Sequence, residues 1–126
     1  MIGVQIIIVL ALIEYLVLGF NVGRARATYG IKAPATTGNP IFERHFRVHQ
    51  NMLEQLIVFI PALIIFAHHV SMRFAVILGI LFLIARLVYA VGYVNDPEQR
   101  TYGAGLTALV VAILVIGSLI ALLIGH

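Results

Sequence analysis

Arg44, Arg47, Asn51 and Glu54 stand three, four and three residues apart in the run "ERHFRVHQNMLE". At about 100° per helical residue they fill one stripe of roughly 80°, which Gln50 and Gln55 widen only modestly. Guanidiniums such as Arg47, the Asn51 amide and the Glu54 carboxylate suit a small ligand carrying charges of both signs. The guanidiniums take carboxylates in bidentate fashion, and the carboxylate takes an ammonium. A second group of the same character follows in "ARLVYAVGY", where Arg86, Tyr89 and Tyr93 fall at i, i+3 and i+7, with Arg100 one connection later in "VNDPEQRTYG". His45 and His49 fall on the opposite side of the first stripe. A helix polar on both sides predicts a second protein surface beside it, and hence an oligomer.

The elements that must hold these groups are membrane helices. Of 126 residues 62% are hydrophobic and only 10% charged, more apolar surface than a soluble domain of this size can hide. Apolar runs cover roughly residues 2–20, 56–70, 74–94 and 104–124, and about 20 residues cross a hydrocarbon core of ~30 Å. The fold expected is an all-α integral membrane protein: a multi-pass bundle of four transmembrane helices in one domain over residues 1–126, with helices near 2–23, 40–69, 72–95 and 98–124. The first run lacks a basic n-region and an A-x-A-like site, which makes it a retained helix. Thr37 or Asn39 is placed to cap the second helix, and Pro61 to kink it.

Composition excludes several chemistries. There is no cysteine, hence no disulfide framework, protein thiol nucleophile or thiolate metal site. Only eight Lys and Arg are present, several of them within or beside apolar runs, which argues against nucleic acid as a partner. His68 and His69 are adjacent and splay apart on a helix with no third ligand at suitable spacing, so no metal is expected. Arg24, Arg26 and Lys32 lie in the first connection, with Arg44 and Arg47 just beyond, against Arg73 alone in the second. The positive-inside rule therefore places the first and third connections in the cytoplasm and both termini outside.

Part of the polar stripe must lie at membrane depth, where charges face a bundle interior or a wet cavity. Arg26, Arg47, Asn51, Glu54, Arg100 and two tyrosine hydroxyls describe a cavity for a ligand with more than one anion, one cation and amides between. Glutathione is one ligand with that inventory, and it adds a thiol. A thiol of ordinary pKa, about 8.5, needs a further cation beside the sulfur to ionise near neutrality, and Arg100 with Tyr93 are the candidates. Glu14 and Arg86 each stand about nine residues from the cytoplasmic ends of helices running in the same direction, and an ion pair between them is expected.

The run "TTGNPIFERHFRVHQNMLEQL", with "FLIARLVYAVGY" and the following Arg100, resembles the membrane-associated proteins in eicosanoid and glutathione metabolism. That family includes microsomal glutathione transferases, the leukotriene-synthesising conjugase and the five-lipoxygenase activating protein. The resemblance covers nearly the whole chain. It implies a homotrimer with glutathione, a co-substrate, bound at subunit boundaries on the cytoplasmic side. By the same resemblance Arg47, Asn51 and Glu54 grip the glutamyl end, Tyr89 and Tyr93 contact the peptide, and Arg26 takes the glycyl carboxylate. Arg100 stabilises the thiolate, and His49 reaches into the neighbour's site. Ala27 and Gln55 depart from the leukotriene-synthesising member, which has an arginine and a tyrosine there. The resemblance thus implies a general transferase or peroxidase acting on apolar electrophiles or lipid hydroperoxides from the surrounding lipid, and short loops point to a bacterial inner membrane.

Two other classes compete. A non-catalytic scaffold of the same family would bind lipid without glutathione. A small proton-coupled multidrug exporter would use Glu14 at membrane depth, but leaves the polar stripe and Arg100 without a role.

Overall fold

The computed structural model describes residues 1–125; residue 126, the last of the expected domain, lies outside them. Four helices run in chain order: α1 (Ile2–Tyr29), α2 (Pro40–His69), α3 (Met72–Asn95) and α4 (Arg100–Leu123), with a 3-10 turn at Pro97–Gln99 before the last. All four are long and apolar enough to cross a membrane, and the chain is an integral membrane protein of the all-α, four-helix kind.

Local chemistry sets the boundaries. Gly30 ends α1 in the left-handed region (φ 68°), and the Ile31 N–H closes the turn on the Arg26 carbonyl at 3.0 Å. Nothing before Gly30 breaks the helix, so α1 runs well past the end of its apolar run near residue 20 and past the expected helix end near residue 23. Asn39 caps α2, its Oδ1 accepting from Ile41 N–H and Phe42 N–H at 2.9 and 3.1 Å, with Pro40 at the first helical position. Glu43 reaches back to accept from the Gly38 N–H at 3.0 Å. The helix continues unbroken through Pro61. Ser71 caps α3 by accepting from the Phe74 N–H at 3.2 Å, and Asp96 opens the 3-10 turn by accepting from the Glu98 N–H at 3.1 Å.

α2 and α3 pack together, and α1 and α4 flank them, each touching both. The main core sits in the middle of the bundle, where Phe59 and Phe82 stack with ring centroids 3.6 Å apart, surrounded by Ala11, Met52, Leu63 and Leu114. In lipid, apolar burial drives helix association only weakly, and close packing takes over. Two glycines show it: a Cβ at Gly103 of α4 would overlap the Tyr89 backbone of α3, and one at Gly79 would meet the Ile7 side chain of α1 at 2.7 Å.

At the end carrying the α1–α2 and α3–α4 connections the packing turns polar. Arg44 donates from one nitrogen to the Val94 and Asn95 carbonyls, at 3.1 and 3.4 Å. These are terminal acceptors of α3, so Arg44 fastens the start of α2 to the end of α3. It belongs to this fastening and not to the cavity that Arg47 and Asn51 of the same stripe line.

Candidate functional site

A cavity of about 460 Å³ opens among α2, α3 and α4. α2 contributes Arg47, Asn51 and Gln55, which the helical spacing of four brings to one side. α3 contributes Arg86, Tyr89 and Tyr93, and the two tyrosine rings stack at 5.7 Å between centroids. Arg100, Ala104, Thr107 and Ala108 of α4 close the third side.

Arg86 organises the interior. Only 3% exposed, it donates from one terminal nitrogen to Asn51 Oδ1 at 2.6 Å and from the other to Thr107 Oγ1 at 3.3 Å. Its guanidinium also lies 4.2 Å from the centre of the Tyr89 ring. One side chain of α3 thereby ties together α2, α4 and its own helix. The Thr107 hydroxyl donates a hydrogen bond to the Gly103 carbonyl at 2.7 Å, which leaves its oxygen lone pairs free to accept from Arg86.

The Asn51 amide is oriented by this contact. With Oδ1 taken by Arg86, its Nδ2 turns toward Glu54 and lies 3.5 Å from Oε1. Glu54 is exposed and is not among the residues that line the cavity. Arg47 and Arg100 are also exposed, and Arg100 reaches back to the Pro97 carbonyl at 3.4 Å. The result is a cavity with a fixed, buried polar floor and two mobile-length cations at its mouth.

Three expected site residues do not line the cavity: Glu54 stands beside Asn51 without reaching it, and Arg26 and His49 stand elsewhere in the single chain. Arg26 donates to the Ala35 carbonyl at 2.7 Å and lies 4.9 Å from the Phe42 ring centre. His49 is on the other side of α2, stacked on Tyr15 of α1 at 4.3 Å, against Gly19. Arg47, Asn51, Tyr89, Tyr93 and Arg100 do converge. The sequence reading missed Thr107. Its signal was the spacing Arg100, Gly103, Ala104, Thr107, which puts a hydroxyl on the face where small residues let α4 approach α3.

Glu14 and Arg86 do not make the direct ion pair expected of them. Arg86 spends its terminal nitrogens on Asn51 and Thr107, and Glu14 Oε1 is buried with no hydrogen-bond partner. Among the described residues, no three His, Asp or Glu side chains gather where they could hold a metal ion.

The chain matches the model of the MAPEG family over residues 4–120. It is 49% identical over 118 residues to an uncharacterized protein of Synechocystis sp., covering 94% of this chain and 86% of that one. It is 36% identical over 94 residues to microsomal glutathione S-transferase 2 of Homo sapiens, covering 75% of this chain and 64% of the relative. Leukotriene C4 synthase of Bos taurus is 34% identical over 76 residues, 60% of this chain and 51% of the synthase. The chain thus spans less than two thirds of the length of these two relatives.

Proposed function

We propose, from the premise that this chain belongs to the MAPEG family, that it is a membrane-bound glutathione transferase with peroxidase capacity toward lipid hydroperoxides. The observation that carries the reading is the convergence of Arg47, Arg86 and Arg100 with Asn51 and two stacked tyrosines on one cavity of about 460 Å³. Three guanidiniums concentrated at one wet pocket in an otherwise apolar bundle call for an anionic ligand. Similarity to glutathione S-transferases points to glutathione as that ligand.

In this reading Arg47 and Asn51 hold the glutamyl end, with Glu54 beside Asn51 taking its ammonium. Tyr89 and Tyr93 face the peptide. Arg100 stands nearest the thiol and favours the thiolate, while the released proton passes to water at the mouth. The thiolate then attacks an electrophilic carbon delivered from the bilayer, forming a C–S bond as the leaving group departs with its electron pair. With a hydroperoxide, sulfur takes one oxygen and the alcohol leaves. A second glutathione then converts the sulfenic acid to disulfide and water.

The chain acts as a homotrimer in this reading, with each cavity completed by a neighbour. Support comes from Arg26 and His49, polar groups on the α1–α2 side that do not line their own chain's cavity. Both reach a neighbour's glutathione if that side covers the α2–α4 opening. In this reading the site faces the cytoplasm, by the positive-inside rule, and the short loops suit a bacterial inner membrane.

The test is an ultraviolet absorbance titration of the detergent-solubilised protein with glutathione near neutral pH, with Arg100→Ala in parallel. A saturable thiolate band that the variant lacks supports the reading. No band and no calorimetric heat of binding would sink it and leave a lipid-binding scaffold.

A further inference from the structure

α1 has a face that takes no part in the larger cavity. Glu14, Val17, Asn21, Arg24 and Thr28 recur on it at helical spacing, roughly 160° round the helix from Tyr15, Gly19 and Arg26. At the end of the bundle that carries the α1–α2 connection, this face borders a polar cavity of about 250 Å³, with Asn21, Arg24, Thr28 and Tyr29 of α1 opposite His45 of α2. Asn21 and His45 also line a cavity of about 330 Å³ between α1 and α3, so the two meet at these residues. From there the wall turns apolar, through Val17, Leu18, Leu87 and Val91. Leu18 and Leu87 carry it on into a smaller cavity of about 140 Å³, with Ile13 at its deep end. Glu14 and Arg86 border that end too, with Glu14 Oε1 and Arg86 Nε buried.

The groove so formed is polar at one end and apolar along the rest. Among the described residues the side chains of Asn21, Arg24 and His45 make no hydrogen bond within the chain, and no carboxylate lines the two cavities that meet at Asn21 and His45. Arg44 adds a second guanidinium nearby, fixed on the carbonyls of Val94 and Asn95, which line the α1–α3 cavity. Cations and neutral donors without an acid among them suit an anion. Val17, Leu87 and Val91 are exposed along the remainder, which suits a hydrocarbon chain. The length agrees: Arg24 and Ile13 are eleven residues apart, about 16 Å of helix, and one leaflet is about half of a ~30 Å core.

We propose that the α1–α3 groove seats an anionic phospholipid, its phosphate on Arg24, Asn21 and His45 and one acyl chain along Leu18, Leu87 and Val91. A phospholipid joins an anionic head to a chain of one leaflet's depth, whereas a free phosphate would leave the apolar length empty. A second copy of the chain is spoken for elsewhere: in the trimer reading it meets the Arg26 and His49 side of α1 and α2. The site does not depend on glutathione, and its loss would leave the functional reading untouched.

The test uses the full chain, purified and freed of lipid by detergent exchange, with a phosphatidylglycerol that carries a photoreactive acyl chain. Labelled peptides should map to α1 around Leu18 and to α3 around Leu87 and Val91, and unlabelled phosphatidylglycerol should compete at least fivefold better than phosphatidylcholine. Labels spread evenly over the outer helix faces, or equal competition, would overturn the site. A groove shielded from label would mean that a second copy covers it, and competition by inorganic phosphate as strong as that by the lipid would mean an anion site alone; either result overturns the proposal. These readouts need only the wild-type chain. Arg24→Gln should then raise the competing concentration about fivefold, the effect of one surface cation on an anionic lipid. Arg73→Gln, at the opposite end of the bundle, should leave it unchanged, and Val91→Trp, which fills the groove, should abolish the groove labels. Equal effects of Arg24→Gln and Arg73→Gln would reduce the head site to diffuse charge and overturn it.

Discussion

Arg86 of α3 donates to Asn51 Oδ1 of α2 across 2.6 Å, and the same guanidinium holds Thr107 of α4. The two terminal nitrogens of a buried cation are thus held by two neutral acceptors from two other helices, so its neighbours depend on it as much as it does on them. Thr107→Val, which keeps the shape and removes the acceptor, leaves one Arg86 N–H bare. It should cost about 1–3 kcal/mol of stability. Thermal unfolding in detergent measures this; a midpoint equal to wild type would mean that the contact does not matter.

Arg47 is an exposed residue of the cavity lining and Glu54 is exposed beside Asn51, and both serve binding in the proposed mechanism. Arg47→Ala and Glu54→Ala should each weaken glutathione about tenfold, with turnover at saturating glutathione nearly unchanged. A fall in turnover with intact affinity would exchange their roles with that of Arg100.

Arg100→Ala should do the opposite. If the guanidinium stabilises charge on sulfur, turnover drops on the order of a hundredfold while calorimetric affinity moves by less than about threefold. Arg100→Lys, which keeps a cation, should recover part of the loss. Equal activity of all three proteins would remove Arg100 from the chemistry.

The trimer reading makes a prediction that no single-chain change can mimic. Arg26→Ala subunits, weak in glutathione binding, and Arg100→Ala subunits, slow in turnover, should both be impaired at low glutathione and should give mixed trimers in which some cavities pair an intact Arg26 with an intact Arg100. Recovered activity on co-expression, absent when separately purified proteins are mixed after assembly, checks it.

Gly103 offers a purely structural test. Gly103→Ala places a methyl group against the Tyr89 backbone, which cannot yield as a side chain can. Separating α3 from α4 there should cost about 1–3 kcal/mol. It should also loosen the cavity wall, seen as a lower unfolding midpoint together with weaker glutathione binding.

What the sequence made legible follows from which signals are local. The stripe Arg47, Asn51 and Glu54 shows because helical spacing alone puts these residues on one face, and the Asn39 end shows because a cap needs only its own turn. Arg44 belongs to the same stripe by angle, but the α3 carbonyls it binds are 50 residues away, and no spacing rule announces them. Glu14 and Arg86 sit at matching depth, yet depth says nothing about rotation, and rotation is what gave Arg86 to Asn51 and Thr107. Thr107 looked like one more residue of an apolar helix until α3 was brought beside it. The α1 overrun to Tyr29 has the simplest reason: the apolar run stops where the membrane need stops, but the helix stops only where Gly30 permits a left-handed turn.

Ala104 and Ala108 form part of the cavity's α4 wall, where any larger side chain would have projected into it. The room for a ligand is therefore an allowance left by two methyl groups on one helix face, while the residues that fasten the bundle lie on other positions. Reach and selectivity can drift at these two places without touching the frame: a leucine shrinks the chamber, a glycine widens it, and Arg86 stays where it is. A scaffold laid out this way can exchange one clientele for another by single substitutions, each visible first as a change in which molecules fit and only later, if at all, as a change in how firmly the protein holds together.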